Sequence, residues 1–298
     1  MIYNEINAKL RQIRVVVFDI DGTLIAHQKV WDGKINPKHW DVLKQLKANE
    51  YIVVLASART MVTIGNLHQN PYVDYFIGGN GAFIYDCKLA KIIDENPIKS
   101  NDIYLLLKGV DQQLTKSITI YGRDAIYSNA LDEFNNHYIL DPFKAKIKLI
   151  DSYQNQISDL IVFETNNKGE TEQLVTNINE ILKHQETSLA IQAIQPQVIM
   201  VANTGVNKLS AIKRLANRLN YDLTNVMAFG DSTNDVEMLQ GCAIGVVMKN
   251  ASKKMYQYGD LITIASAKDG GIYDTLVALK MFNYDKKKNK RLDKSNLL

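Results

Sequence analysis

The sequence predicts an α/β fold in which a parallel sheet is interrupted by an inserted α+β module. Short apolar strands alternate with helical segments over the first 80 residues, and the same alternation returns after about residue 206. Between about 83 and 200 the chain instead mixes strand-like stretches with polar helices. Strands that alternate with helices favour right-handed βαβ units and therefore a parallel sheet. We expect a core domain from residues 1–82 and 201–284, and a second domain from residues 83–200.

The first half of the predicted core contains three buried strands and one helix. The strands are short apolar runs of the kind found in sheets covered on both faces: RVVVFDI at 14–20, YIVVLAS at 51–57 and VDYFIGGN at 73–80. Segment 36–50 places Trp40, Leu43 and Leu46 on one helical face, and a proline near its start suits a first helical turn.

The second half of the core repeats this pattern after the insert. The predicted elements are a helix at 206–220, a strand at 225–231, a helix at 234–241, strands at 243–248 and 261–265, and a closing helix in GGIYDTLVALKMF. Within the insert, strand-like stretches lie at 117–122, 144–150, 159–165 and 197–202, and a polar helix at 169–185. Exposed loops of a rigid sheet tolerate such insertions when the ends of the insert lie close together.

Composition limits the class of protein. Hydrophobic residues make up 46% and charged residues 22% of the chain, which is ordinary for a globular protein. No apolar run approaches the roughly 20 residues that span a bilayer, and the first 14 residues lack the features of a signal peptide. We therefore expect a cytoplasmic protein with no membrane partner. Cys87 and Cys242 show no metal-ligand spacing, which argues against a disulfide scaffold or a structural zinc site.

The basic character of the chain comes from its C-terminus. Residues 285–298 carry six basic and two acidic residues, so the net charge of +3 becomes −1 without them. A basic tail can bind nucleic acid or an acidic membrane, but a frayed terminus has the same composition. We expect a disordered tail and no nucleic-acid partner.

Polar residues follow three of the predicted strands. In an open parallel sheet, ligands bind at the carboxyl ends of the strands, so these residues are expected to surround one crevice. They are Asp19 and Asp21 after the first strand, Ser57, Ala58 and Arg59 after the second, and Asp231, Asn234 and Asp235 after a later one. Each stretch alone also fits a turn or a helix cap. Their coincidence at one edge favours a functional site.

Four carboxylates at one edge would repel one another unless a cation lay among them. Oxygen ligands without histidine or cysteine indicate a hard ion, and Mg²⁺ is the usual one. Because Mg²⁺ commonly binds substrate phosphate as well, the crevice suggests a phosphorylated ligand. Lys208, at the start of the helix that follows the insert, is a candidate partner for that phosphate, although surface helices carry lysines in any case.

Four segments resemble the motifs of the haloacid dehalogenase (HAD) superfamily of phosphatases, in its Cof-type (IIB) branch. In chain order they are FDIDGTL, LASAR, GVNK and GDSTND, and GGNGAFIYD at 78–86 is similar to the segment that leads into the cap domain of this branch. The resemblance implies a Rossmann-like HAD core with a parallel sheet and an inserted C2B-type cap. One departure is Ser57-Ala58-Arg59, where this branch often has Thr-Gly-Arg. Ser57 keeps the hydroxyl of the threonine that it replaces, and Ala58 still offers a backbone N–H group.

Spacing agrees with this branch. Only 37 residues separate Asp19 from Ser57, whereas 150 separate Ser57 from Lys208, so a full cap fits after the second motif and not after the first. This disfavours the branch of β-phosphoglucomutase and the haloacid dehalogenases. Asp21 also favours phosphoryl chemistry, because dehalogenation needs no acid or base at that position.

The resemblance implies a role for each motif residue. Asp19 would be the nucleophile and Asp21 the general acid and base. Mg²⁺ would be held by Asp19, the Asp21 carbonyl and Asp231, with Asp235 as a ligand or a neighbour of the ligands. The phosphoryl oxygens would contact Ser57, Ala58, Lys208 and Asn234. Arg59 and Asn80 would face the substrate and the cap, where Arg123, Tyr127 and Tyr138 are weaker candidates for specificity.

The expected function is Mg²⁺-dependent hydrolysis of small phosphate monoesters, such as sugar phosphates or phosphorylated cofactors, through an aspartyl-phosphate. Two alternatives stay open at this point. One is a phosphomutase or phosphotransferase, and the other is a non-catalytic regulator that binds a phosphosugar. The expected partner is a small phosphorylated metabolite, and the oligomeric state is unknown.

Overall fold

The computed structural model describes residues 2–26, 35–131 and 147–282, which form two β-sheets flanked by helices. The strands are β1 (Val15–Phe18), β2 (Ile52–Ala56), β3 (Tyr75–Gly78), β4 (Phe83–Asp86), β5 (Lys91–Glu95), β6 (Ser117–Gly122), β7 (Ile126–Ser128), β8 (Ile147–Leu149), β9 (Ser158–Glu164), β10 (Leu189–Gln195), β11 (Val198–Asn203), β12 (Val226–Gly230), β13 (Ile244–Val247) and β14 (Leu261–Ile262). The α-helices are α1 (Ile2–Gln12), α2 (Pro37–Ala48), α3 (Ser100–Gly109), α4 (Lys168–His184), α5 (Lys208–Arg218), α6 (Val236–Gly241) and α7 (Gly271–Ala278).

The first sheet has eight strands in the order β14-β13-β12-β1-β2-β3-β4-β5. The six strands from β14 to β3 pair in parallel, which confirms the predicted parallel sheet. Strand β1 lies in the middle, because Val15 is paired with Ile52 on one side and with Val226 on the other. The segment after β1 therefore emerges at the centre of the carboxyl edge of the sheet.

Helices cover both faces of this sheet. On one face, Leu43 of α2 and Leu276 of α7 belong to a cluster of buried side chains that includes Phe18 and Phe229. On the other face, Leu215 of α5 packs with Val15 and Val17 of β1. Burial on both faces explains why the strands are apolar runs rather than alternating sequences.

The second sheet has six strands in the order β10-β11-β9-β6-β7-β8, and all of its pairs are antiparallel except β7 with β8. Helices α3 and α4 cover one face, where Leu106 and Ile178 pack with Ile161. On the opposite face, Leu160 and Ala202 join the buried cluster of the first sheet. The predicted α+β insert on a parallel α/β core is confirmed.

The two sheets do not divide the chain at our predicted boundaries of 82/83 and 200/201. The first sheet includes strands up to Glu95, and the second sheet continues to Asn203. Strands β4 and β5 form an antiparallel hairpin that extends the first sheet from β3, and β11 is paired to its last residue within the second. Phe83 is fully buried and packs edge-on against Phe76, so β4 is held to the first sheet by side chains as well. The apolar pattern of this hairpin resembles that of the insert, and its sequence alone does not reveal which sheet it joins. The exact domain limits stay a prediction.

Two other expectations concern the ends of the chain. The basic tail at 285–298 lies outside the described residues. Helix α1 packs on the first sheet through the buried Ile6, although the first residues were not predicted to be helical. None of the helices in the described ranges combines the length and the apolar character that crossing a bilayer requires.

Candidate active site

Three buried carboxylates meet at the carboxyl edge of the first sheet. Asp19 follows β1, and Asp231 and Asp235 follow the neighbouring β12. One oxygen from each lies within 4.8 Å of the oxygens of the other two. The convergence predicted from parallel topology is therefore present in the structure.

Lys208 supplies the positive charge of this cluster. Its ammonium nitrogen donates to Asp19 Oδ1 and to Asp235 Oδ1, each at 2.6 Å, and its side chain is fully buried. Burial alone would lower the pKa of Lys208, but the two carboxylates outweigh it and raise that pKa. The lysine is thus an internal counter-ion. Burial raises the pKa of Asp19, and Lys208 acts against this effect.

The start of α5 explains how Lys208 reaches the cluster. Asn207 caps the helix through its side chain, which accepts from the N–H of Ser210, and the Ser210 hydroxyl interacts with the Asn207 N–H in return. Lys208 is consequently the first helical residue, next to the fixed cap. The sequence GVNK therefore combines a helix start with a cation directed into the sheet edge.

Asp235 holds its own loop together. Its Oδ2 accepts from the backbone N–H groups of Asp231 at 2.9 Å and Ser232 at 3.0 Å, while its Oδ1 accepts from Lys208. A Cβ at Gly230 would lie 2.6 Å from the Cβ of Asp235, so only glycine allows this close approach. The hydroxyl of Thr23 donates to Asp231 Oδ1 at 3.4 Å.

The donor set suits a hard divalent cation. The cluster offers carboxylate oxygens and no soft ligand, and Mg²⁺ prefers such oxygen ligands. Three carboxylates with one lysine leave excess negative charge in a buried site, which a cation would compensate. On this test Asp19 and Asp231 fit a metal role, whereas Asp235 already uses both of its oxygens within the protein.

Arg59 binds Asp21 in a two-bond ion pair. Its Nε and Nη2 atoms donate to the two carboxylate oxygens at 2.7 and 2.6 Å, and its Nη1 donates to the carbonyl of Thr63 at 2.9 Å. Arg59 was predicted to face the substrate and the cap, and its pairing with Asp21 was not predicted. Arg59 also acts on the insert. Burial and Glu164 raise the pKa of Tyr121 on β6, and the positive charge of Arg59 partly opposes this rise.

The candidate phosphate-binding residues lie around the same edge. Ser57 is buried, and its hydroxyl accepts from the N–H of Arg59 at 3.2 Å. The N–H of Ala58 meets no acceptor within the described ranges. The Asn234 amide accepts from the Ser232 hydroxyl at 2.5 Å and donates to Asn80 Oδ1 at 3.2 Å. This contact between Asn234 and Asn80 was not predicted, although both residues were candidates.

The weaker cap candidates are engaged elsewhere. Arg123 pairs with the buried Asp159 at 3.0 Å and with Glu95. The hydroxyl of Tyr127 donates to Asp124 at 2.9 Å. Tyr138 lies outside the described residues. The structure thus shows no contact of Arg123 or Tyr127 with the carboxylate cluster in the described part of the chain.

Comparison with known proteins agrees with this geometry. The family model of haloacid dehalogenase-like hydrolases matches residues 16–276. A Streptococcus pyogenes protein whose name pairs a phosphatase with a peptidyl-prolyl cis-trans isomerase is 26% identical over 89% of this chain, which spans only 54% of that protein. The 5-amino-6-(5-phospho-D-ribitylamino)uracil phosphatase of Bacillus subtilis is 23% identical over 87% of this chain and 92% of its own.

The fold has solved counterparts as well. The structure of a subclass IIB sugar phosphatase superposes with a TM-score of 0.71 at 21% identity, and covers 90% of this chain and 100% of that one. At this identity the likeness concerns the fold: a mainly parallel core sheet with a second, mixed sheet inserted. Since the family model spans both halves of the core and the insert between them, the chain belongs to the haloacid dehalogenase-like hydrolases.

Proposed function

We propose that this protein is a phosphatase that depends on Mg²⁺ and hydrolyses small phosphorylated metabolites through an aspartyl-phosphate on Asp19. The observation that carries the proposal is the state of the Asp19 carboxylate. Lys208 holds its Oδ1, whereas its Oδ2 accepts no hydrogen bond from the described residues. A nucleophile needs one oxygen fixed and the other available to the reacting atom.

The reaction divides into two steps. Asp19 attacks phosphorus, so an O–P bond forms to its carboxylate as the ester P–O bond breaks, and Asp21 gives a proton to the leaving oxygen. Asp21 then takes a proton from the water that hydrolyses the aspartyl-phosphate, which releases inorganic phosphate and restores Asp19. Arg59 orients Asp21 through the two-bond pair, which fixes the plane of the carboxylate.

The phosphoryl oxygens need donors during both steps. Lys208, the Ser57 hydroxyl, the Ala58 N–H and the Asn234 amide are the groups that we assign to them, and such fixed donors stabilise charge in the transition state. When bound by Asp19, Asp231 and the Asp21 carbonyl, Mg²⁺ would offset the repulsion between the nucleophile and the phosphate. Asp235 supports this set by fixing the loop of Asp231.

The substrate that we propose is a class of compounds, small phosphorylated metabolites, and not one molecule. The similar proteins named above act on a phosphorylated ribitylamino-uracil and on sugar phosphates, which supports a small polar leaving group for this chain. Sugar phosphates and phosphorylated cofactors are the first candidates. A phosphomutase or phosphotransferase would use the same residues, with a hydroxyl instead of water as the acceptor, and a regulator would bind the phosphosugar without turnover.

The test is release of p-nitrophenol from p-nitrophenyl phosphate, with Mg²⁺ and with EDTA. We expect release that requires the metal, and its loss in Asp19→Asn. Asp151→Asn, at an exposed position of the insert, is the matched control and should retain full activity. Metal-independent release, or an active Asp19→Asn, would refute the proposal. Transfer between sugar positions without free phosphate would instead support the mutase.

A further inference from the structure

The segment Gly79–Gly81 has an unusual backbone at the border of the two sheets. All three residues have positive φ angles, of 57°, 56° and 110°. A Cβ at Gly79 would lie 2.8 Å from the Cβ of Asp159 on β9, and one at Gly81 would lie 2.2 Å from the carbonyl oxygen of Asn207. The segment is therefore packed between the inserted sheet and the start of α5, next to Lys208.

Hydrogen bonds connect the same segment to two of the site loops. The N–H of Gly79 donates to the carbonyl of Arg59 at 2.8 Å, and the N–H of Asn80 donates to the carbonyl of Ser57 at 2.9 Å. The side chain of Asn80 accepts from Asn234 at 3.2 Å. Asn80 thus lies between the two loops to which we assign the phosphoryl group. A left-handed backbone at this one non-glycine residue is maintained by these contacts on every side.

The nitrogen of the Asn80 amide meets no acceptor among the residues that the structure describes. The residue as a whole is 1% exposed. Nδ2 is not among the fully buried atoms without a partner, so the small exposed surface of Asn80 includes this donor. Amide donors of buried residues are normally satisfied, so one left open beside a binding site indicates a ligand that supplies the acceptor. A phosphate ester is rich in acceptor oxygens, and the neighbours on either side, Ser57 and Asn234, are assigned to it.

We propose that Asn80 binds the substrate directly, with its Nδ2 donating to a phosphoryl oxygen while its Oδ1 holds the amide of Asn234 in place. The proposal rests on the proposed function, because it names a further contact to the same phosphate ester. This role also explains why Gly79 and Gly81, which have no room for a side chain, flank Asn80. Both glycines let the chain turn so that this one side chain reaches the site.

Two substitutions separate the parts of this role. Asn80→Asp keeps an oxygen that can accept from Asn234 and tolerates the left-handed backbone, but replaces the donor with a negative charge. Asn80→Gly removes both contacts and leaves a residue that adopts positive φ without strain. Asn220→Asp is the matched control, because Asn220 also has a positive φ, of 60°, and is exposed in the turn that follows α5.

We expect both Asn80 variants to lower kcat/KM for p-nitrophenyl phosphate by about 10- to 100-fold, the value of one hydrogen bond to a charged group. Competitive inhibition by inorganic phosphate should weaken by a similar factor, and Asn220→Asp should stay within about twofold of the unsubstituted protein. Circular dichroism and thermal melts establish whether each variant is folded. If Asn80→Asp does not fold, Asn80→Gly alone tests whether Asn80 contacts the phosphate.

Retention of kcat/KM and of phosphate inhibition in both variants would overturn the proposal. So would a fall in kcat with unchanged inhibition by phosphate, because Asn80 would then act only through Asn234. If the unsubstituted protein releases no phosphate, the proposed function fails by itself. Calorimetric titration of inorganic phosphate into the unsubstituted and Asn80→Asp proteins then still measures whether Asn80 binds phosphate.

Discussion

Replacement of Lys208 by methionine tests the electrostatics of the site most directly. The substitution keeps an unbranched side chain, shorter by one atom, and removes the ammonium that contacts two carboxylates at 2.6 Å. Breaking a buried ion pair by removing one partner costs about 3–5 kcal/mol, because the other charge stays buried without compensation. A typical domain has about 5–15 kcal/mol of unfolding free energy, so the loss is large but measurable.

Metal should reverse part of this loss. A cation that binds the native state stabilises it by about 2.7 kcal/mol when its concentration is 100 times its Kd. Without Lys208, the three carboxylates form a more negative site, and we expect Mg²⁺ to stabilise Lys208→Met more than the unsubstituted protein. Activity should stay absent even with Mg²⁺, because the donor to the phosphoryl group is gone.

The assay is urea unfolding at neutral pH, followed by circular dichroism in EDTA and in Mg²⁺. Lys213→Met, at an exposed position of the same helix, controls for the loss of a lysine and should change the unfolding free energy by less than about 0.5 kcal/mol. If Lys208→Met is as stable as the control in EDTA, or if Mg²⁺ stabilises both variants equally, our account of the charge balance is wrong.

Three further predictions concern His39, Arg59 and Gly81. Burial lowers the pKa of His39 to about 4, so the native state resists protonation where the unfolded chain accepts it. Neutral His39 therefore contributes fully to the free energy of unfolding above pH 6.5, and this contribution of about 3 kcal/mol should be lost between pH 6.5 and 4. In urea unfolding at several pH values, His39→Gln should lack this decrease. Arg59→Lys should lower kcat by about tenfold, since lysine cannot bind Asp21 through two parallel bonds; an unchanged kcat in steady-state assays would exclude a role in orienting Asp21. Gly81→Ala should lower the unfolding free energy by about 2–4 kcal/mol, because its Cβ would lie 2.2 Å from a backbone oxygen. Gly205→Ala also has positive φ but open space, and an equal loss there would show that strain alone, without the clash, accounts for the effect.

The sequence was sufficient for those parts of the molecule that repetition and topology determine. Apolar runs separated by helices predict a parallel sheet, and a parallel sheet brings the ends of its strands to one edge. From these two steps, Asp19, Asp231 and Asp235 were expected together, and one oxygen of each lies within 4.8 Å of the others. The insert was likewise visible as a change of pattern, and the second sheet follows from it.

Side-chain directions in loops could not be predicted in this way. Whether Arg59 points to the cap or to Asp21 depends on a few dihedral angles and on the Thr63 carbonyl that takes its third donor. The contact of Asn80 with Asn234 joins positions 154 residues apart, through a segment with left-handed backbone. The hairpin of β4 and β5 shows the same limit for strands, because its apolar pattern fits either sheet and the packing of Phe83 decides between them.

The contact between Asn96, which precedes the second sheet along the chain, and Asn203, which is the last residue of that sheet, has a consequence for how the molecule folds. The central strands β1 and β12 pair residue 15 with residue 226, so 211 positions separate the partners. Asn203 donates to Asn96 at 2.9 Å, and these two residues are themselves 107 positions apart. Once the second sheet has formed, the loop that the central pair must close is effectively halved, to 104 positions. Halving a loop lowers the entropic cost of closing it by only about 0.6 kcal/mol, which corresponds to a factor of about 3 in rate. The order in which the two sheets form should thus have little effect on how fast the first one closes.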